Sequence, residues 1–497
     1  MAQNPWGYGP PPQGGQYPAQ QGGQYPAQQG GQYPAQQGGQ YPAQQGGQYP
    51  AQQGGQYPAQ QGGQYPAQQQ PGQYPGQQQP GQYPGQQQPG QYPAQGLPPG
   101  HGAWHGQSPH GGPQLGHAAP SRFDSRFKTG LALTVLGCLI GAVLLLKMFV
   151  LDVPPSYRDV AYAAMKKASI AAYVPVAVYL FVPYMIDRFD PEPAWALFGV
   201  FAWGALFATG ISAVINTAGA QLVGEAMQSA EAGQLYGAAI SAPLFEELTK
   251  GMAIFGMVVF LRREFDGVVD GIIYATFVAI GFAATENIIY YFRAEISTVL
   301  GKPGGQNLGD LFFLRGVLTP WLHPMFTSMT GIGFGLAREA NEGWKKVVYP
   351  LGGYFIGVFM HAWWNGMARV FGGGAVILNL VVGLLMAAAF FIIICVLVHK
   401  KGLTIRKFLE DELYLGNLTQ EEIDLISSYG GRLKARMSWR GKLGAEFVAA
   451  GARLALSKFH TARAMKGQKR TISADFIVPL RQDLARLRQQ MMAQHRG

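Results

Sequence analysis

Residues 1 to about 121 contain no Lys, Arg, Asp or Glu. From Gly14 an eight-residue unit, GGQYPAQQ, recurs about seven times and then gives way to a nine-residue PGQYPGQQQ unit. A mixture of Gly, Gln, Pro and Tyr with so little aliphatic surface does not offset the entropy of ordering, which excludes a packed domain and predicts a disordered arm over 1–121. The period is also too short for the solenoid families. The extreme N-terminus has neither basic residues nor an apolar core, so no secretory signal peptide is expected. Cysteine is scarce. Cys138 and Cys395 both fall in apolar runs without metal-ligand spacing, which excludes a cysteine metal centre and predicts two buried free thiols. No nucleic-acid fold signature is present, so no nucleic-acid partner is expected. His101, His105, His110 and His117 are sparse and read as solvated loop rather than a metal site, and the evenly spaced Tyr residues read as a tether with room for weak multivalent contacts.

What is present is apolar sequence, concentrated between Thr129 and Val398. It divides into about eight spans, 129–151, 168–186, 194–218, 236–260, 269–292, 312–337, 347–370 and 374–398. A helix rising about 1.5 Å per residue needs roughly 20 residues to cross the hydrocarbon core, and these spans meet that length. The fold class expected is therefore an all-α polytopic membrane protein, with a membrane domain over 122–399. Lys166 and Lys167 read as snorkelling residues at the start of the second span. The segment 220–235, with Glu225 and Glu231 but no Lys or Arg, reads as a loop or surface helix.

Counting Lys and Arg in the joints gives thirteen on the side shared with both ends and seven on the other, Arg315 among the seven. That asymmetry predicts an N-in, C-in plasma-membrane protein. Residues 400–497 hold 19 Lys or Arg against 9 acidic residues, a difference equal to the net charge of +10 for the whole chain. Their pattern of Leu, Ile, Phe and Ala among charges predicts a basic, mostly helical cytoplasmic tail that contacts anionic membrane lipid.

Ionisable groups inside the apolar spans stand out against this background. An ionised carboxylate at mid-membrane is disfavoured by roughly 2.5–3.5 kcal/mol on insertion scales, and Glu246 and Glu247 stand in tandem. They differ by about 100° around a helix, so one can serve as base or metal ligand while the other orients a neighbour. Lys250, three and four residues on, makes a local ion pair available. Glu286 with Asn287, His323, and His361 with Asn365 lie in three other spans at about the same depth in the outer half of the membrane. Asn365, four residues after His361, shares its helical face and can orient the ring or donate to an oxyanion. Asp266 and Asp270 fall at a membrane edge, where helix capping is the expected role. Such a cluster can take a proton from water, with a second His or a bound Zn²⁺ stabilising the oxyanion formed when that water attacks an amide.

Four stretches in this order, PLFEELTK, DGIIYATFVAIGFAATENIIYY, LHPMFTSMTGIGFG and MHAWWNGM, closely resemble the PrsW family of intramembrane proteases. That family is distantly similar to the CAAX prenyl endopeptidases and bacteriocin-processing enzymes. The resemblance covers about 170–390. It implies that Glu246, Glu247 and Lys250 form the paired-glutamate motif, that Glu286 and Asn287 match its Glu-Asn pair, and that His323 and His361 match its two histidines. It also implies a membrane-anchored protein substrate, such as an anti-sigma factor, cut near the outer face. Two schemes remain open: a metal held by His323, His361 and Glu246, or a glutamate-activated water without metal. Outside the resemblance, a proton-coupled transporter and a membrane scaffold are the competing readings of buried Glu, His and Lys.

Overall fold

A computed structural model describes residues 125–262, 264–301, 307–438, 441–467 and 472–494. The repeat arm, its four histidines and Arg122, Arg263 and Lys302 lie outside the described residues. Every regular element among the described residues is a helix, as expected of segments that must satisfy each backbone N–H and C=O within lipid.

The chain runs through α1 (Ser125–Leu146), α2 (Arg158–Tyr173), α3 (Val176–Ile186), α4 (Ala194–Ala202), α5 (Thr209–Ala226), α6 (Ala230–Tyr236), α7 (Ala242–Phe260) and α8 (Val268–Val299). It continues through α9 (Leu308–Leu311), α10 (Leu322–Glu339), α11 (Lys345–Val370) and α12 (Gly372–Tyr414). The C-terminal group is α13 (Gln420–Ser427), α14 (Gly431–Ser438), α15 (Gly441–Lys466) and α16 (Ile477–Gln494). Short π-helical segments join several of these, at Trp203–Ala208, Gly237–Ser241 and Phe312–Leu318.

Among the described residues, five helical stretches are long and apolar enough to cross a membrane: Ser125–Leu151, Pro155–Ile186, Ala194–Ala226, Val268–Val299 and Ile377–Tyr414. The expected spans 236–260, 312–337 and 347–370 are occupied by α7, α10 with the π segment before it, and α11, which are not among those five. These three helices carry Glu246, Glu247, Lys250, His323 and His361, while Glu286 and Asn287 lie on α8.

Helix α8 is the axis of the bundle: 78% of its most apolar window is buried, against 17% for the spans at Ser125–Leu151 and Ile377–Tyr414. The peripheral helices expose long apolar side chains, such as Leu136, Leu139 and Val143 on α1 and Leu384, Leu385 and Ile392 on α12, as a lipid-facing surface requires. Cys395 is exposed on α12 and Cys138 half-buried on α1. Both are free, but neither is the fully buried thiol expected, because each lies on a peripheral helix. Between the central helices small residues allow close approach. A Cβ on Gly271 would stand 2.2 Å from the Gly331 carbonyl oxygen, and one on Gly331 would stand 2.2 Å from that of Gly271, so α8 and α10 touch backbone to backbone.

The start of α8 is capped as expected, though by one of the two candidates: Asp270 accepts from the backbone N–H groups of Asp266 and Gly267 at 2.7 and 3.2 Å. Asp266 instead faces His460 of α15 at 3.5 Å. Burial pushes the Asp187 and Asp266 carboxyls up to about 7 and the His460 imidazole down to about 4, so this joint is held by few net charges. Lys167 reaches the edge of α8 at Glu295, 2.8 Å away, consistent with a snorkelling role.

The boundary placed at 399/400 falls inside α12, which runs unbroken for 43 residues. One apolar cluster extends from Ile186, Phe189 and Ile272 through Val398 and Ile405 to Phe447, Leu454 and Leu484. The C-terminal helices are thus packed on the bundle's own core. Their polar anchor is Glu412, whose buried carboxylate accepts from Lys458 at 2.5 Å, Arg481 at 2.7 Å and Asn417 at 2.7 Å. Substituting Glu412 by Ala leaves Asp411 as the acid shared by Lys458 and Arg481, and the expected loss is about 3 kcal/mol, the lower end for a broken buried pair because Lys458 keeps Asp411 and Arg481 is partly exposed. Limited proteolysis should then cut between α12 and α16 at a protease concentration that spares the wild type.

Candidate active site

Helix α7 follows a π segment and carries Pro243 in its first turn, where a missing N–H costs nothing. One turn later Glu246 and Glu247 diverge around the helix. Glu247 is fully buried and fully bonded: Oε1 accepts from Lys250 at 2.7 Å and from His361 Nδ1 at 3.0 Å, and Oε2 accepts from Thr327 at 2.8 Å. Three donors on one carboxylate offset its desolvation. Glu246 is also buried, but only its Oε1 is engaged, by Asn216 Nδ2 at 3.1 Å, while Oε2 has no hydrogen-bond partner. Ser241 in turn donates to Asn216 Oδ1 at 2.8 Å and fixes which way that amide points.

Helix α11 brings His361 against this pair and is fastened to the α7 region on both sides of it. Tyr354 donates to the Leu244 carbonyl and Asn365 to the Ala238 carbonyl, each at 3.0 Å. Asn365 therefore positions α11 through backbone and does not orient the His361 ring, as its four-residue spacing had suggested. Phe326 stacks on that ring at 5.1 Å between centroids. With Nδ1–H donating to Glu247, the His361 Nε2 lone pair faces the unpartnered Glu246 Oε2 across 3.8 Å.

His323, in the first turn of α10, spans two charges. Its Nδ1 lies 3.2 Å from Lys250 Nζ and its Nε2 lies 3.0 Å from Glu286 Oε2. An ammonium has only donors, so Nδ1 accepts and Nε2–H donates to Glu286. The two imidazole rings are 5.2 Å apart and nearly perpendicular. Lys250, with no exposed surface, is held between Glu247, His323 and the face of Phe282 at 4.2 Å.

Glu286 and Asn287 are joined by Arg315, whose Nη2 donates to Glu286 and whose Nε donates to Asn287 Oδ1 at 2.7 Å. Arg315 projects from the π-helical segment Phe312–Leu318, and Pro320 separates that segment from α10. These groups, with Thr319, Trp364 and Asn365, line one small cavity beside the carboxylates.

The structure thus brings Glu246, Glu247, Lys250, Glu286, Asn287, His323 and His361 into one connected network. Sequence reasoning missed three members. Asn216 had a weak signal, an amide near the middle of a membrane-capable helix. Thr327 had none, since hydroxyls are common in membrane helices. Arg315 was counted only as a joint charge; turning it inward leaves the charge asymmetry in the same direction.

Glu246, His323 and His361 each offer a ligand atom within 4.8 Å of the others. The donor set suits zinc, because an orphaned carboxylate oxygen faces an imidazole nitrogen whose other nitrogen is oriented by a carboxylate. His323 joins such a set only by giving up its bond to Glu286 or to Lys250.

Residues 192–397 match the family model described as PrsW family intramembrane metalloprotease. Three curated proteins, each called Protease PrsW, are similar to this chain. The one from Geobacillus kaustophilus is 26% identical over 221 residues, 40% of this chain and 89% of the relative. That from Oceanobacillus iheyensis is 25% identical over 209 residues, 42% of this chain and 86% of the relative. That from Clostridioides difficile is 27% identical over 177 residues, 36% of this chain and 68% of the relative. No solved structure matches the chain.

Proposed function

Because residues 192–397 place this chain in the PrsW family of intramembrane peptidases, we propose that Glu246 is the base that activates water for hydrolysis of a peptide bond in another membrane-anchored protein. The observation that carries this reading is the pair of facing acceptors: Glu246 Oε2, unpartnered and buried, and His361 Nε2, 3.8 Å away. Two lone pairs at that separation suit a species that binds both, a water with two protons or a cation. A buried carboxylate kept short of donors is expensive as structure and useful as a base.

The roles divide along the hydrogen bonds. Glu246 accepts the proton of water and later returns it to the leaving amine. Asn216 holds its other oxygen so that Oε2 keeps its direction. Glu247 orients His361 and offsets the Lys250 charge, and touches no reactant. His323 and Glu286 form a second imidazole–carboxylate pair on the opposite wall. When bound by Glu246, His361 and His323, zinc would polarise the water or the scissile carbonyl. Zinc analysis of the purified enzyme should give stoichiometric metal in wild type and a loss in His361→Ala, with cleavage stopped by a chelator and restored by added zinc. Cleavage that continues in metal-free enzyme would assign the chemistry to Glu246 and the histidines alone.

A membrane-anchored regulatory protein of the anti-sigma-factor kind, cut near the outer face, is the substrate class this reading favours, with both chain ends on the inner side of the plasma membrane. A single cluster joined by hydrogen bonds supports catalysis over a proton-relay transporter, in which ionisable groups would be strung from face to face. The test compares membrane proteomes of cells carrying wild type and Glu246→Gln. A fragment present only with the wild type supports the proposal, and identical proteomes reject it.

A further inference from the structure

We propose that Arg315 is a further catalytic residue, which binds the scissile carbonyl oxygen and stabilises the charge that develops on it; the inference rests on the hydrolytic reading above. Among the described residues, Arg315 is the only Lys or Arg lining the cavity beside Glu286, His323 and His361. Lys250, the other cation of the network, lies behind the carboxylates and is consumed by Glu247 and His323.

The guanidinium is fixed in direction by three contacts. Nε donates to Asn287 at 2.7 Å, Nη2 donates to Glu286, and Cζ lies 3.9 Å from the centre of the Tyr290 ring. Arg315 itself is one of the residues that line the cavity. A donor held in place before the reaction costs no reorganisation when charge appears, which is why such groups dominate amide hydrolysis. Arg315 sits in a π-helical segment between α9 and the break at Pro320, and single π turns recur where a side chain must be aimed at a functional site.

Charge decides which part of a substrate this arginine suits. Glu286 already neutralises it, and Glu246, 3.8 Å from the cavity-lining His361, adds a second acid close by. A substrate carboxylate would meet two acids for one cation. A peptide carbonyl brings no charge at first and gains one only as the water oxygen bonds to its carbon. The C=O electron pair then moves to the oxygen beside Arg315 while the water's proton goes to Glu246. Collapse re-forms C=O, breaks C–N, and sends that proton to the departing nitrogen. The pairing with Glu286 therefore tunes Arg315 to prefer the transition state over the substrate.

The test uses full-length enzyme in liposomes and a membrane-anchored fusion protein that wild type cleaves and Glu246→Gln does not. Arg315→Ala should lower kcat by about 10²–10³-fold with KM within about threefold. Ethylguanidinium at millimolar concentration should restore a saturable part of the rate to Arg315→Ala and none to Glu246→Gln. Arg315→Lys, which keeps the charge without the fork, should fall between wild type and Ala and covers the case in which Ala does not fold. Wild-type rates in Arg315→Ala, a loss confined to KM, or a well-folded variant without rescue would each overturn the inference while leaving the peptidase reading intact. A wild-type enzyme that cleaves nothing spared by Glu246→Gln sinks both.

Discussion

Replacing Glu246 by Gln should lower peptide cleavage by about 10³-fold or more while the protein folds, inserts and melts as the wild type does. The side chain keeps its shape, and the Gln carbonyl can still accept from Asn216 at the position held by Oε1. The amide then points its NH₂ at His361 Nε2, where two acceptors had faced each other at 3.8 Å, so a hydrogen bond replaces a lone-pair contact. The variant loses its base and its anionic ligand together, and gains packing comfort. Single-turnover cleavage measured beside thermal unfolding in the same detergent separates the two effects. Cleavage within a few-fold of wild type would assign the base elsewhere, with Glu286 next in line.

The neighbouring residue should behave in the opposite way. Glu247→Ala removes the acceptor for Lys250, His361 and Thr327 at once and leaves an ammonium with no exposed surface facing a histidine. Breaking a buried pair from one side costs about 3–5 kcal/mol, a large share of the stability of a typical domain. The expected result is a strongly lowered melting temperature and little folded protein. Removing both charges tests the cause, since Glu247→Gln with Lys250→Met should recover much of the lost stability. It should not recover cleavage, because His361 still lacks the carboxylate that sets its tautomer. If Glu247→Ala melts like wild type and merely cleaves slowly, Glu247 belongs with the reacting groups instead.

These two outcomes differ although the residues are adjacent and chemically identical. Sequence could assert that the pair diverges around a helix, because 100° per residue is fixed by backbone geometry. It could not say which member keeps an unpartnered oxygen, because that depends on where α10 and α11 place Thr327 and His361. The Lys250 ion pair was legible for the same local reason, at a spacing of three residues. Asn365 shows the limit of such reasoning. Its spacing put it on the His361 face, yet its amide goes to the Ala238 carbonyl, a partner 127 residues away in the chain. Arg315 shows it more sharply. A positive charge at the end of an apolar run reads as a topology signal, and only a π-helical turn and the break at Pro320 carry it inward to Glu286.

By itself the sequence determined that the chain is helical and membrane-borne and that acids and imidazoles share one depth, because apolar run length and the cost of a buried charge are properties of residues and lipid alone. The tertiary structure decided which carboxylate has both oxygens bonded and which keeps one without a partner. That assignment turns on hydrogen-bond partners brought from α5, α10 and α11. No local rule links positions so far apart in the chain.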